Sequence, residues 1–310
     1  MSQPPDPELL EVIAADLGVD PAFVEKDWYA VRLAALVAGV ADQELYPVFS
    51  GGTCLSKAYG LIQRFSEDLD FKFAMPPGGL SRGQRRTFRN RIVATVRSDA
   101  AFTLLDADIH PGDESRFVRC NVTYRDAPTA PTDLRPHLQL EVTFGAPVEP
   151  VEHRPVSSFV AQARREAPEI TAIACVSPVE TAADKLSALT WRVLTRQRND
   201  PNDDPTMIRY LHDLAALEAT VIGNAGFAPL FLRTASEDAE RGNPPEALRA
   251  LSASERLQRL LLLLGDDAAY RAEYDRFVLS MSYARTGETP SFDAALESLG
   301  RLALVVVEPN

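Results

Sequence analysis

Lysine is scarce in this 310-residue chain: of 32 Lys+Arg, only Lys26, Lys57, Lys72 and Lys185 are lysines, and the other 28 are arginines. Cysteine is scarce as well. Cys54, Cys120 and Cys175 are odd in number and show no C-x-x-C spacing, which excludes a disulfide framework and predicts buried free thiols in a reducing compartment. The four histidines (His110, His137, His153, His212) are scattered, so no zinc-type ligand spacing is present. No apolar run approaches the ~18–20 residues of a membrane-spanning helix; the longest covers only 260–264. The N-terminal stretch has acidic residues and no basic segment, so no signal peptide is expected, and the expected location is the cytoplasm without membrane contact. Positive charge is in deficit overall. With 44 Asp+Glu the net charge is −12, which excludes holding nucleic acid by a uniform positive field and leaves only a local basic patch for that role.

What is present is a globular composition, with 45% hydrophobic and 25% charged residues, in a chain long enough for two domains or one large one. Residues 6–17 and 22–39 show helical periodicity, with Asp20 placed as an N-cap before Pro21. An apolar run from Tyr46 to Phe49 ends at Gly51 and Gly52, a strand followed by a turn. A short helix over 53–59 closes at Gly60. Leu69, Phe71 and Phe73 alternate with Asp70 and Lys72, as in a strand with one buried face. Ser81 caps a helix running to about Arg97. Strands are expected at 102–108, 116–124 and 137–145, separated by turn-rich stretches at 126–136 and 145–155. Helix is expected from Ser157, a short strand at 171–175, and a capped helix from Ser177-Pro178 to about Arg196. A polar loop spans 199–205, and helices broken at Gly223, Gly242, Gly265 and 287–290 fill the rest. The fold class is therefore α+β. The expected division is 1–40 as N-terminal helices packing on a core, 41–150 as the core, and 151–310 as a mainly helical domain that completes the site.

The chemistry concentrates between Phe49 and Asp70. Gly51 and Gly52 after a strand allow a tight turn and close approach of a ligand, and a helix starting there points free N–H groups at it. Asp68 and Asp70 are two apart on an extended segment, so their carboxylates share one face. Mg²⁺ is held by one or two such carboxylates plus substrate phosphates. Glu141, mid-strand in 137–145, supplies a third acid if that strand lies beside 69–73, which permits a second metal and in-line phosphoryl transfer. Each piece alone is an ordinary turn, strand edge or solvated acid; their order and spacing make them specific.

The run Gly51-Gly52-Thr53-x-Leu55-x-Lys57-x-Tyr59-Gly60, followed by Arg64-Phe65-Ser66-x-Asp68-x-Asp70, resembles the signature of the AbiEii/AbiGii nucleotidyltransferase toxins, a family that includes the mycobacterial MenT toxins. Glu25-Lys26-Asp27-Trp28 resembles the helix ahead of that motif. Ala183-Asp184-Lys185-Leu186-x-Ala188-x-x-x-Arg192 and Arg209-Tyr210-Leu211-His212-Asp213-Leu214 resemble two later family segments. The likeness covers about residues 22–217. Asp184 stands where the family usually has Glu, and Tyr210 where it has a first Asp, so Arg209 and Asp213 are carried over and Tyr210 is not. The resemblance implies a polymerase-β-like nucleotidyltransferase core, a small mixed sheet flanked by helices. It implies Mg²⁺ (or Mn²⁺) and an NTP, with Asp68, Asp70 and Glu141 as metal ligands, and with Lys185 and Asp213 as further catalytic residues. Gly51, Gly52, Thr53, Lys57, Ser66 and Lys185 are implied at the nucleotide. Ser66 is also a candidate phosphorylation site, where about −1.5 to −2 added charges would oppose nucleotide binding. The implied partner is a cognate antitoxin protein.

The expected helix at 82–97 carries six arginines and no acid. Arg82, Arg85, Arg86 and Arg89, with Arg192 and Arg196, are the candidates for gripping an RNA backbone. The resemblance implies, as the first functional expectation, a toxin that transfers NMP to an acceptor, and the arginine helix favours the 3′ end of tRNA, as in some relatives, which would stop translation. The alternatives are the same chemistry on a protein or a small molecule such as an aminoglycoside, and a nucleotide-binding regulator without catalysis.

Overall fold

Asp20 accepts the Ala22 N–H at 2.8 Å and Pro21 takes the first helical position, so α2 (Pro21–Ala38) starts where its capping residues place it, packed against α1 (Pro7–Leu17). The computed structural model describes residues 4–41, 45–76, 78–124, 134–198, 200–201, 203–242, 244–285 and 287–307. The chain divides into two units, Met1–Gly60 with Phe65–Val176, and Leu61–Arg64 with Ser177–Asn310.

The first unit is built on one mixed sheet. Its strands are β1 (Tyr46–Ser50), β2 (Asp68–Ala74), β3 (Phe102–Thr103), β4 (Ile109–Gly112), β5 (Phe117–Tyr124), β6 (Leu138–Phe144), β7 (Glu152–Val156) and β8 (Ile170–Cys175). They run in the order β3-β5-β6-β2-β1-β8-β7, with β4 also paired to β5. β2 pairs antiparallel with β1 and parallel with β6. Alternation sets the two faces. Leu69, Phe71 and Phe73, with Leu140, Val142 and Phe144 beside them, are buried, and Phe73 meets Phe88 of α4 (Arg82–Ser98) edge-on at 4.9 Å. Asp68, Asp70, Gln139 and Glu141 point to the other, half-buried face. α3 (Gly51–Lys57) follows β1 directly, and α5 (Phe159–Arg164) precedes β8.

Three local expectations change. The helix after β1 begins at Gly51 rather than at Thr53. The expected strand at 102–108 is strand only at 102–103; Asp106–Asp108 form a 3₁₀ turn, because short acidic side chains favour local turns, and pairing resumes in β4. Residues 152–156, expected within a turn-rich stretch, form edge strand β7. Pro155 is accommodated there because it falls where the β7–β8 register shifts. The turn-rich stretch 126–136 lies largely outside the described residues, as do Asn199 and Asn202 of the polar loop.

The second unit is helical among its described residues: α6 (Pro178–Leu194), α7 (Arg209–Val221), α8 (Phe227–Gly242), α9 (Glu246–Arg249), α10 (Ala253–Asp266), α11 (Ala268–Phe277) and α12 (Phe292–Val307). Gly265 stays inside α10. The break comes at Asp267, whose carboxylate caps α11 by accepting the Ala269 N–H. No helix among the described residues is long and apolar enough to cross a membrane.

Candidate active site

The centre of the polar sheet face is a row fixed by register: Ser50 opposite Asp70, Asp70 beside Glu141, and Glu141 opposite Arg119. At Gly51 the chain turns with φ +72°, and a side chain there would put its Cβ 1.9 Å from Asp70 Oδ2 and 2.9 Å from Asp70 Cβ. The glycine is needed twice, for the left-handed backbone and for the space that the Asp70 carboxylate fills. Thr53 Oγ1 donates to the Asp68 carbonyl at 2.5 Å, so the residue expected at the nucleotide fastens the strand that carries both aspartates. Ser66 is half-buried two residues before Asp68, and its carbonyl accepts weakly from the same hydroxyl at 3.5 Å.

Asp68 and Asp70 suit a divalent cation that takes two protein carboxylates and completes its shell with substrate oxygens. Among the described residues no three His, Cys, Asp or Glu side chains are grouped closely enough to hold a metal by themselves. Glu141, expected as a third ligand, thus stands beside Asp70 in register without closing a three-acid cluster, and the Gln139 amide donates to it at 2.9 Å.

Behind Asp68 lies a layer that sequence spacing did not reveal. Lys26 of α2 is fully buried and ion-paired with buried Glu67. Burial pulls the Lys26 ammonium below its usual range, against the opposing pull of Glu67. Lys26 also donates to the Arg135 carbonyl at 2.7 Å, and Glu67 accepts the Arg135 N–H at 2.7 Å. The Arg135 guanidinium donates to Asp68 Oδ1 at 2.8 Å and to Gln139 Oε1 at 3.1 Å.

Lys57, also expected at the nucleotide, is ion-paired with buried Asp27 and lies 3.3 Å from the centre of the Phe159 ring. Asp27 accepts the Phe159 N–H at 2.7 Å. Burial raises the Asp27 carboxyl and lowers the Lys57 ammonium, each offset by the partner's charge. This pair ties α2, α3 and α5 together.

In the second unit, Lys185 Nζ lies 2.8 Å from Asp213 Oδ2. Asp213 is wholly buried, so it is not a solvent-exposed partner of Arg209. Arg64 donates to it twice, from Nε at 2.7 Å and Nη2 at 2.6 Å, and His212 Nδ1 lies 3.2 Å away. Burial alone would raise the Asp213 carboxyl, but Arg64 and Lys185 outweigh it and hold it well below the usual carboxylate range. Tyr210 lies beneath Lys185, with Nζ 4.7 Å from the ring centre. Arg64 was present in the sequence motif, yet nothing local pointed to a partner 149 residues away.

The basic candidates separate. Arg82 and Arg86 are exposed and Arg89 half-exposed along one side of α4, lining a groove of ≈ 480 Å³ with Pro111, Gly112, Asp113 and Ser115. Arg85 instead is buried and donates to the Leu80 carbonyl. Arg192 pairs with Asp204 at 2.8 Å, and the Arg196 side chain, 5% exposed, lies between Asp203 and Glu273, at 2.8 and 2.7 Å, so neither extends a free basic face.

The fold of MenT4, a nucleotidyltransferase toxin from Mycobacterium tuberculosis H37Rv, aligns over 94% of this chain and 98% of its own, with TM-score 0.49 and 14% identity. No curated protein sequence matches the chain. The profile of the family described as nucleotidyl transferase AbiEii toxin, type IV toxin–antitoxin system, matches residues 32–298. The match takes in the glycine turn, the Asp-x-Asp strand, the Lys185 and Asp213 helices and most of the helices after residue 217. The chain therefore belongs to the AbiEii nucleotidyltransferase toxin family.

Proposed function

We propose that this protein is the toxin of a toxin–antitoxin pair and transfers a nucleotidyl group from an NTP to an acceptor hydroxyl, with pyrophosphate leaving. The observation that carries this reading is the Asp70 carboxylate packed onto Gly51, with Asp68 on the same strand face. That is the donor set a Mg²⁺·triphosphate requires. Mg²⁺ (or Mn²⁺), when bound, neutralises phosphate charge as the bond to the leaving group breaks. Asp68 and Asp70 would hold it. The glycine turn leaves room for the Asp70 carboxylate, and Glu141 beside Asp70 takes the proton of the acceptor hydroxyl. The acceptor oxygen bonds to the α-phosphorus as the bond from that phosphorus to the bridging oxygen breaks. Lys185 serves as a phosphate-binding cation, held in orientation by Asp213. Lys57 is a structural residue in this reading.

The acceptor we favour is the 3′ end of tRNA. Arg82, Arg86 and Arg89 support it, as an exposed basic face on a chain of net charge −12. Ser66, half-exposed beside Asp68, is the proposed target of an off-switch by phosphorylation, and a cognate antitoxin the proposed partner. The reading is tested by incubating the protein with total tRNA, Mg²⁺ and each α-labelled NTP. Label on tRNA with at least one NTP is expected. Label on protein or on a drug instead would replace the tRNA acceptor, and no label with any acceptor would remove the transferase reading.

A further inference from the structure

Arg135 is fixed in an unusual way for a partly exposed arginine. Its N–H is held by Glu67 and its carbonyl by Lys26, at 2.7 Å each, and those two residues form a buried ion pair. Removing two charges from water costs several kcal/mol each unless they are well paired and hydrogen-bonded. Here the pair's further hydrogen bonds both go to the main chain of residue 135. The side chain rooted there leaves the buried layer for the polar sheet face. Its guanidinium contacts Asp68 Oδ1 at 2.8 Å, with the Arg135 and Asp68 side chains 32% and 30% exposed. The same nitrogen reaches Gln139, whose amide donates to Glu141. Arg135 is thus wired to two of the three acids of the proposed site, and its planar fork matches phosphate oxygens.

We infer that Arg135 is a substrate-binding residue that exchanges partners: it holds Asp68 when the site is empty and the triphosphate of the NTP when a divalent cation occupies Asp68. This rests on the nucleotidyltransferase reading. A guanidinium and a divalent cation compete for one carboxylate oxygen, so cation alone must displace Arg135, whereas a cation arriving with a triphosphate offers the guanidinium new anionic partners. Metal and nucleotide binding are thereby coupled, each favouring the other. The clamp on the main chain of residue 135 is left intact when only the side chain changes.

The exchange predicts shifts of opposite sign. Titration calorimetry with Mn²⁺ alone should show Arg135→Ala binding the ion about fivefold more tightly than wild type, the size of a part-exposed ion pair relieved. Titration with each of the four α,β-methylene NTPs in saturating Mg²⁺ should show the same variant binding about tenfold or more weakly, because a charge-assisted hydrogen bond to phosphate is gone. Arg135→Lys, which keeps the charge, should recover part of the nucleotide affinity. Arg135→Gln serves if the alanine variant does not fold. Unchanged or weakened Mn²⁺ binding in a folded variant overturns the exchange, as does unchanged nucleotide affinity; in both cases the transferase reading stands. Wild type that binds none of the four analogues overturns the exchange together with that reading.

Discussion

Gly51 shows how much one residue can decide. Its left-handed φ costs an L side chain ~1–2 kcal/mol, and a Cβ there collides with Asp70 out to that residue's own Cβ at 2.9 Å, beyond what a rotamer change relieves. Gly51→Ala is expected to lose about 1–3 kcal/mol of stability in urea denaturation and to lose nucleotidyl transfer, because Asp70 must leave its place. Asp213 decides stability in the second unit. Asp213→Asn leaves the buried charges of Arg64 and Lys185 without their counter-ion, an expected loss of about 3–5 kcal/mol. Its carboxyl is depressed in the folded protein. Its contribution is therefore complete above the unfolded value near ~4 and drains as pH falls below that, toward the folded pKa, by up to ~1.4 kcal/mol per pH unit. Urea midpoints measured from pH 6 to pH 3 should converge between wild type and Asp213→Asn as pH falls. A constant gap would contradict the ion-pair account. The juxtaposition of Gly51 with Asp70, and of Asp68 and Asp70 on one strand face, was legible in the sequence because it follows from local spacing. It could not show Arg64, Glu67 or Arg135 in their roles, since their partners lie 149, 41 and 67 residues away.

At the scale of elements, the pair Asp27–Lys57 joins the helix before the glycine motif to the helix that contains it, and Asp27 also receives the first N–H of α5. Both shifts oppose ionisation, so the pair is a desolvated one whose worth lies in how it sets these helices. Asp27→Leu and Lys57→Met singly should each cost about 3–5 kcal/mol, and the double variant should recover much of that. A double-mutant cycle in urea measures it, and additive losses would contradict the pairing. Elements with a clean period were readable in advance: α2 by its Asp-Pro start, α4 by its Ser81 cap, β2 and β6 by alternation. β7 was not, because an exposed edge strand containing Pro155 shows neither an apolar face nor an uninterrupted ladder. The expected strand at 102–108 failed where two aspartates form a tight turn.

For the molecule as a whole, the charge balance resolves by position. Net charge is −12, yet Lys26, Lys57 and Lys185 sit in ion pairs within motif segments, with Glu67, Asp27 and Asp213 respectively. The arginines divide into those held in structural pairs, such as Arg196, and those presented on α4. If the α4 face holds RNA, Arg82→Glu/Arg86→Glu/Arg89→Glu should fold normally and bind tRNA far more weakly. Its log K against log salt should be shallower by about 2–3, roughly 0.7–0.9 for each phosphate that is no longer neutralised. An unchanged slope would remove that face from the RNA interface. If Asp68 and Asp70 serve nucleotidyl transfer, two labels compared side by side reveal it. The protein is given tRNA, Mg²⁺ and NTP labelled in either the α- or the γ-phosphate, as wild type and as Asp70→Asn. Covalent label is expected on tRNA from the α-position only, reduced by about two orders of magnitude or more in Asp70→Asn. Transfer of the γ-label, or α-label transfer undiminished in the variant, would contradict it.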